Sequence, residues 1–145
     1  GPDALVSVWR EKAAGARYIH LAELTPAMNA GFQLADGPLS LDEIRNTELH
    51  ADMVVITARG TANQQQQRAR AFLDAGAEWV LVTNWALPDR FRVRYLGNIY
   101  DSMNQERPPI RALSEGRNRM INDGMTSVNM DDPAIWGVFT LFGKP

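Results

Sequence analysis

Residues Ala51 to Ala62 read ADMVVITARGTA, and this stretch decides how the rest of the chain folds. The run from Met53 to Thr57 is apolar and rich in β-branched residues without alternation, which is typical of a central strand buried on both faces. A turn then interrupts the run, and a helical pattern follows from about Asn63. In open α/β sheets, ligands and catalytic groups collect at this carboxyl end of a strand. The first question about function is therefore what chemistry Arg59 and its neighbours can perform.

The composition predicts one globular domain. The chain has 145 residues, of which 45% are hydrophobic and 22% are charged, and these are ordinary values for a domain with its own core. We therefore predict a single domain over residues 3–145, with Gly1 and Pro2 as the remnant of a cleaved tag. The net charge of −2 gives no reason to expect binding to nucleic acid. The apolar runs are too short to span a bilayer, so we expect no membrane insertion. No signal peptide is visible, which leaves the location open and favours the cytoplasm.

The chain contains no cysteine. Disulfides, thiolate metal sites and a cysteine nucleophile are therefore excluded within this sequence. The carboxylates do not suggest a metal site, because Asp42-Glu43 and Asp131-Asp132 are adjacent pairs whose side chains point in different directions on a helix or a strand. We expect neither a metal nor a cofactor.

Strand and helix patterns alternate along the chain. Short apolar runs predict strands over residues 18–22, 32–34, 53–57, 79–83 and 136–142. Helical spacing predicts helices over residues 5–13, 41–44, 63–75, 91–103 and 110–121. Ser40 and Glu43 form a capping-box pattern before the second helix, and Asp36-Gly37-Pro38 is a turn signal. The alternation predicts an α/β fold with a mostly parallel sheet and helices on both of its faces.

The two histidines are not well placed for catalysis. His50 precedes the central strand, and because six strand residues span roughly 20 Å, it belongs at the rim opposite the usual site. His20 falls inside a predicted strand, where we expect a core histidine bonded to a neighbour. Thr57 and Thr61 put hydroxyl groups at the favoured rim, but the sequence identifies no base to activate them.

The turn at Arg59 also has an interpretation as an anion site. A loop that enters a helix offers free amide donors, and Arg59 and Arg68 add positive charge there. The turn lacks both the glycine-rich run and the Gly-Lys-Ser/Thr ending of a phosphate loop. The structural alternative is that Arg59 forms a salt bridge at the rim or hydrogen bonds to carbonyl groups. We interpret the run Gln64–Gln67 as the polar first turn of the helix.

Aromatic residues suggest a surface for a partner. Asn84 and Trp85 follow the predicted strand over residues 79–83 and so belong to the same rim as Arg59. Tryptophan is enriched at interaction hot spots, which makes Trp85 a candidate anchor, although a position that caps the core fits it equally well. Trp9 and Trp136 are expected in the core.

The order of these segments resembles the C-terminal two-thirds of a CHAT domain, the caspase-like module often attached to tetratricopeptide repeats in bacteria. Four pieces carry the resemblance, and they are IHLA at residues 19–22, GFQLADGPLSLDEI at 31–44, ARAFLDAGA with VLVTNW at 69–77 and 80–85, and DPAIWGVFTLFG at 132–143. They follow the family's order and together cover most of residues 16–145. The resemblance implies a caspase-like three-layer α/β sandwich, truncated on its N-terminal side relative to active relatives.

The resemblance also implies a loss of catalytic residues. Active relatives use a histidine a few residues past the first of these strands and a cysteine directly after the second. At the matching positions this chain has Leu24, within HLAELT, and Arg59, within TARGTA. Leucine cannot accept a proton, and arginine stays protonated and cannot attack a carbonyl. The resemblance therefore predicts a pseudoprotease and not an enzyme.

Three functions stand as hypotheses. The first is a protein–protein interaction or scaffold module within a larger protein, which keeps a strand-addition mode for an extended peptide near Arg59, Asn84 and Trp85. The second is a sensor or enzyme that binds a small anionic ligand at the Arg59 turn. The third is a structural domain that forms a homodimer, as the resemblance implies, because caspase-like folds can dimerise through their terminal strands.

Overall fold

The computed structural model describes residues 5–22, 25–26, 30–86, 88–122 and 137–143. Contacts divide the chain into two compact units, residues 1–85 with 139–145 and residues 86–138. The predictions that concern Leu24, the Asp131-Asp132 pair and Trp136 lie outside the described residues. No helix in the described part combines the length and the apolar character needed to cross a bilayer.

The first unit contains two sheets. Its strands are β1 Tyr18–Leu21, β2 Thr25–Pro26, β3 Phe32–Leu34, β4 Gly37–Leu39, β5 Met53–Ile56, β6 Trp79–Thr83 and β7 Phe139–Gly143. The larger sheet has the order β1-β5-β6-β7, with β1, β5 and β6 parallel and β7 antiparallel to β6. The smaller sheet is antiparallel and has the order β2-β3-β4. The prediction of a mixed α/β fold with a mainly parallel open sheet is confirmed.

Three helices of the first unit share one core with a face of the larger sheet. They are α1 Val6–Lys12, which continues into a 3₁₀ turn at Ala13–Gly15, α2 Leu41–Arg45 and α3 Ala62–Ala75. The rings of Trp9 on α1 and Phe72 on α3 meet edge to face, with their centroids 5.9 Å apart, so the core position of Trp9 is confirmed. Every residue of β5 is buried. The prediction of a central strand that is buried on both faces is therefore also confirmed.

Helix α1 takes its N-terminal cap from a distant turn. Leu5 occupies the cap position and has no side-chain acceptor. The carboxylate of Asp36, between β3 and β4, accepts hydrogen bonds from the backbone N–H of Val6 and from the N–H and hydroxyl of Ser7, the last two at 3.1 and 3.0 Å. The bond from Val6 is the main reason that the pKa of Asp36 lies below its usual value. A residue that the sequence marks only as a turn signal therefore anchors the first helix.

The lowered pKa of Asp36 predicts a specific pH dependence. Ionised Asp36 stabilises the fold at neutral pH, and this contribution disappears as the pH falls through the folded-state pKa, because the unfolded state then binds the proton more readily. We expect Asp36→Asn to lower the free energy of unfolding at pH 7 and to lose less further stability than the wild type between about pH 5 and pH 2. Urea unfolding at a series of pH values measures both effects.

The matched control for Asp36 is Ser40→Ala. The Ser40 hydroxyl caps α2 by accepting from the Glu43 N–H at 3.1 Å, and it does not titrate. We expect this variant to lose about 1 kcal/mol at every pH and to keep the wild-type acid slope. An Asp36→Asn variant with that same unchanged slope would contradict the role given to the carboxylate.

The second unit contains a pair of packed helices, α4 Asp89–Asn104 and α5 Pro109–Asn122. The apolar stripe predicted for the first of them is buried as expected, at Phe91, Tyr95, Leu96, Ile99 and Met103. Gly116 is the buried position that permits the close approach of α5. A Cβ atom at this residue would lie 2.9 Å from Ile99 Cγ1 and 3.3 Å from Tyr95 Cε2.

The two glycines of this helix pair predict opposite effects of the same substitution. Gly97 is exposed within α4, and a Cβ atom built there has no other atom within 4 Å. We expect Gly97→Ala to raise the free energy of unfolding by up to about 1 kcal/mol, because alanine has the higher helix propensity. Gly116→Ala should lower it by roughly 1–3 kcal/mol through overpacking. Denaturant unfolding of both variants checks the signs, and destabilisation by Gly97→Ala would rule out an open helix face at that residue.

Candidate functional site

The predicted partner-binding residues lie on one rim of the larger sheet. Arg59 is in the turn that follows β5, and Asn84 and Trp85 follow the neighbouring strand β6. Because β7 is antiparallel to β6, its first residues return to the same rim. We call this surface the carboxyl rim and define it by Arg59, Asn84, Trp85 and Thr140. Its strands β5 and β6 are central in the sheet, and its edge strands are β1 and β7.

Gln65 on α3 holds the ends of the two central strands together. Its side-chain Nε2 donates to the carbonyl of Ala58 at 2.9 Å and to the carbonyl of Thr83 at 2.6 Å. Because both carbonyl oxygens bind the same nitrogen, they can be no farther apart than the sum of these two distances. The chain segments that begin at Arg59 and Asn84 therefore leave the sheet side by side. The glutamine run lies at the start of α3, as predicted, and Gln65 is its buried member. The inward face of α3 carries this side chain because residues 65, 69 and 72 follow helical spacing.

Arg68 is the second side chain that organises the rim, and it has no solvent exposure. Its Nε donates to the carbonyl of Ala30 at 2.7 Å, its Nη2 to that of Gly31 at 3.3 Å, and its Nη1 to that of Arg59 at 2.8 Å. Nη1 also donates to Gln65 Oε1 at 3.1 Å. One planar guanidinium therefore links α3 to the turn after β5 and to the loop before β3.

The charge of Arg68 is solvated by neutral groups. Burial lowers the pKa of its guanidinium from the usual value, and no carboxylate among the described residues forms an ion pair with it. The cation also lies over the ring of Phe32, 4.8 Å from the centroid. Since an arginine keeps its proton even when its pKa falls, a positive charge stays below the rim. Arg68 therefore places positive charge beneath the turn, but its side chain is buried and its donors bind neighbouring oxygens, so an anion at the turn cannot contact it.

The turn itself is shaped by these contacts. A Cβ atom at Gly60 would lie 2.7 Å from Arg68 Nη1, so the guanidinium leaves room only for a glycine there. Thr61 then begins α3 with a capping box, in which its hydroxyl accepts from the Gln64 N–H at 3.2 Å and its own N–H donates to Gln64 Oε1 at 2.9 Å. The hydroxyl of Thr61 is thus committed to the helix terminus and is not a candidate nucleophile.

A histidine and a threonine meet at the end of β1. The Thr57 Oγ1 is 3.4 Å from His20 Nε2 and 3.5 Å from the carbonyl oxygen of Leu21. His20 is exposed, so its predicted core position is wrong, and the reason is that β1 is an edge strand whose alternate residues face outward. Thr57 is only 7% exposed. Both contacts are at the long end for a hydroxyl, and the buried position limits access to the oxygen.

Asn84 and Trp85 differ in how they are held. The Asn84 Nδ2 donates to Thr140 Oγ1 at 2.9 Å, and the Thr140 hydroxyl can donate back to Asn84 Oδ1 at 3.2 Å. Asn84 therefore ties the end of β6 to the start of β7. Trp85 is 45% exposed, one of the few large apolar side chains that the described residues present to solvent. The side chain of Arg59 is exposed and forms no hydrogen bond or ion pair with any described residue.

The sequence matches the family description CHAT domain over residues 5–144. The chain belongs to the CHAT family. CHAT domains are caspase-like, and the mainly parallel sheet with Arg59 in the turn after a central strand agrees with that architecture. No curated protein sequence matches the chain.

The remaining polar residues of this CHAT domain do not gather at the rim. His50 is exposed at the opposite end of β5, as predicted, with its Nε2 3.9 Å from Glu48 Oε1. Asp42 pairs with Arg45 on α2 at 2.7 Å. Among the residues that the structure describes, no cluster of three or more histidine, aspartate or glutamate side chains is arranged to hold a metal ion.

Because Arg68 is buried and Arg70 is exposed on the same helix, we expect the same substitution to change stability differently at these two positions. Arg68→Lys removes the planar fork and leaves at least one buried carbonyl without a donor, so we expect a loss of about 2–4 kcal/mol in the free energy of unfolding. Arg70→Lys, on the exposed face of α3, should change stability by less than about 0.5 kcal/mol. Urea unfolding compares the two variants. Equal stabilities would contradict the linking role of Arg68.

Proposed function

We propose that this CHAT domain is a pseudoprotease that binds an extended segment of another protein at the carboxyl rim, as an interaction or scaffold module of a larger protein. The observation that carries the proposal is the state of Arg59. Its carbonyl is held by Arg68, while its side chain is exposed and forms no hydrogen bond or ion pair with any described residue. The resemblance to the family aligns this turn with the one that carries the nucleophile in active relatives. A fixed backbone with a free cationic side chain suits recognition and not attack on a carbonyl.

The loss of proteolysis rests on chemistry. The chain has no cysteine, and the resemblance to the family puts Leu24 at the position of the catalytic base. The pair of Thr57 and His20 is the one hydroxyl and imidazole that meet at the rim among the described residues, and its hydroxyl is nearly buried and shared with a carbonyl. We therefore assign this pair to holding β1 against β5.

Inactivity is tested by incubating the chain with an unfolded protein substrate and searching for new termini by mass spectrometry. We expect none above the level of buffer alone. Cleavage that persists in the wild type and disappears in Thr57→Val or His20→Gln would overturn the assignment of those residues to structure and would make the domain an enzyme.

The position of the rim suggests how an extended segment lies. Arg59 and Trp85 follow central strands, which already pair with a neighbouring strand on each side. The segment therefore cannot join the sheet as a new strand there, and these two residues contact it through their side chains. Asn84 connects this surface to Thr140 on β7, which pairs with β6 on one side only within the described sheet. A segment that crosses the rim can therefore continue along the edge of β7 and form backbone hydrogen bonds there.

The binding site is tested with short random peptides displayed on phage and selected on the wild-type chain. We expect Trp85→Ala to weaken binding of the selected peptides at least about ten-fold, as for an aromatic hot spot. Tyr18→Ala is the matched control, because Tyr18 is equally exposed at 47% but lies at the amino end of β1. Equal losses in both variants, or selected peptides that tolerate both, would place the interaction elsewhere.

Binding of a small anion at Arg59 is the weaker candidate. The presence of Arg59 and Arg68 at the turn favours such a site, but the donors of Arg68 bind backbone carbonyls, and of these two arginines Arg59 alone is exposed. Among the described residues of this turn, Arg59 is the guanidinium that an anion can contact directly, and without a glycine-rich loop it offers little to hold a phosphate against water.

A further inference from the structure

We infer that the segment bound at the carboxyl rim is acidic, with an aspartate or glutamate side chain that pairs with Arg59 and an apolar side chain nearby that packs on Trp85. This inference rests on the proposed function and specifies the class of partner. It is carried by the charge distribution around the rim and by the spacing of the two anchors.

The described segments that form the rim after β5 and β6 carry no acidic residue. The sequence from Met53 to Leu73 contains three arginines and no aspartate or glutamate. The described residues after β6 in the first unit and those of β7 are all uncharged. The exposed positions at the start of α3 are Ala62, Asn63, Gln66 and Gln67, none of which is charged. A cationic or neutral segment would have no carboxylate to bind in these stretches, whereas an acidic segment can form an ion pair with the exposed guanidinium of Arg59.

Arg68 adds to this positive field from below. Its guanidinium lies directly beneath Gly60, where an added Cβ would be 2.7 Å from Nη1, and no described carboxylate neutralises it. Charges in the interior are screened far less than charges in water. The potential of Arg68 therefore reaches the surface at the turn that presents Arg59. A carboxylate that approaches Arg59 is attracted by both cations, although it contacts only one.

The spacing of Arg59 and Trp85 limits how far apart the acidic and apolar residues of the segment can lie. Gln65 Nε2 holds the carbonyls of Ala58 and Thr83 in a single pair of hydrogen bonds, so the turns that carry Arg59 and Trp85 leave the sheet as neighbours. Adjacent strands lie about 4.8 Å apart, and an extended chain advances about 3.3 Å per residue. The acidic and apolar residues of the segment should therefore lie within about three residues of each other.

The test uses the peptides selected from the random phage-displayed library on the full chain. We expect the enriched peptides to carry aspartate or glutamate within three residues of a large apolar side chain. Synthetic copies should bind at least about ten-fold more weakly to Arg59→Ala, with a larger loss for Arg59→Glu, since charged contacts that lose a partner are costly. Peptides with the acid replaced by arginine should bind Arg59→Glu better than they bind the wild type. Arg70→Glu is the control for a change of charge on an exposed face of α3 and should leave affinity within about two-fold.

The outcomes separate the inference from the proposed function. Enriched peptides that lack acidic residues and depend on Trp85 but not on Arg59 would overturn the acidic class and keep the rim as a peptide site. Peptides that depend on neither residue would overturn both. Inorganic phosphate is the probe for a small-anion site. A phosphate-dependent rise in melting temperature that is lost in Arg59→Ala, together with displacement of the peptides, would replace the acidic segment by a free anion.

Discussion

The guanidinium of Arg68 is the interaction on which the first unit depends. It is buried, it stays charged, and it donates to the carbonyls of Ala30, Gly31 and Arg59. An isolated charge is expensive to bury, and hydrogen bonds to several oxygens reduce that cost. The carbonyls of Ala30 and Gly31 belong to buried residues, where an acceptor without a donor is costly. Arg68 thus supplies hydrogen-bond donors to carbonyls in both the loop before β3 and the turn after β5 through a single planar group.

Gln65 completes the same arrangement one helical turn earlier. It joins the ends of β5 and β6 through two carbonyls and accepts a hydrogen bond from Arg68. The two side chains form a polar network inside an otherwise apolar core. Networks of this kind fix one arrangement of the backbone, because any other arrangement leaves buried polar groups without partners. The network therefore holds the backbone where β5 and β6 end, and a backbone that is ordered in advance has less entropy to lose when a partner binds.

Much of this fold could be predicted from the sequence, because the decisive patterns are local. The β-branched run of β5, the stripe of α4 and the cap of α2 by Ser40 each depend on residues within one or two turns of each other. The capping of α1 by Asp36 could not be predicted this way, since its partners are about thirty residues apart. Gln65 and Arg68 left a weaker signal. They share the helical spacing of Ala69 and Phe72, and polar residues on a buried stripe indicate buried hydrogen bonds. The exposure of His20 depends on the position of β1 at the edge of the sheet, and the sequence of β1 alone does not predict that position.

Arg68 holds the backbone of residue 59 but not its side chain. The guanidinium contacts the main-chain oxygen of that residue and leaves its side chain free, so the path of the backbone does not depend on which amino acid stands there. Residues 60 and 68, in contrast, are linked, since any larger residue at position 60 collides with the guanidinium. Position 59 is therefore a place where the side chain can be exchanged while the hydrogen bond that holds the turn is kept, whereas a change at position 60 would disturb that hydrogen bond.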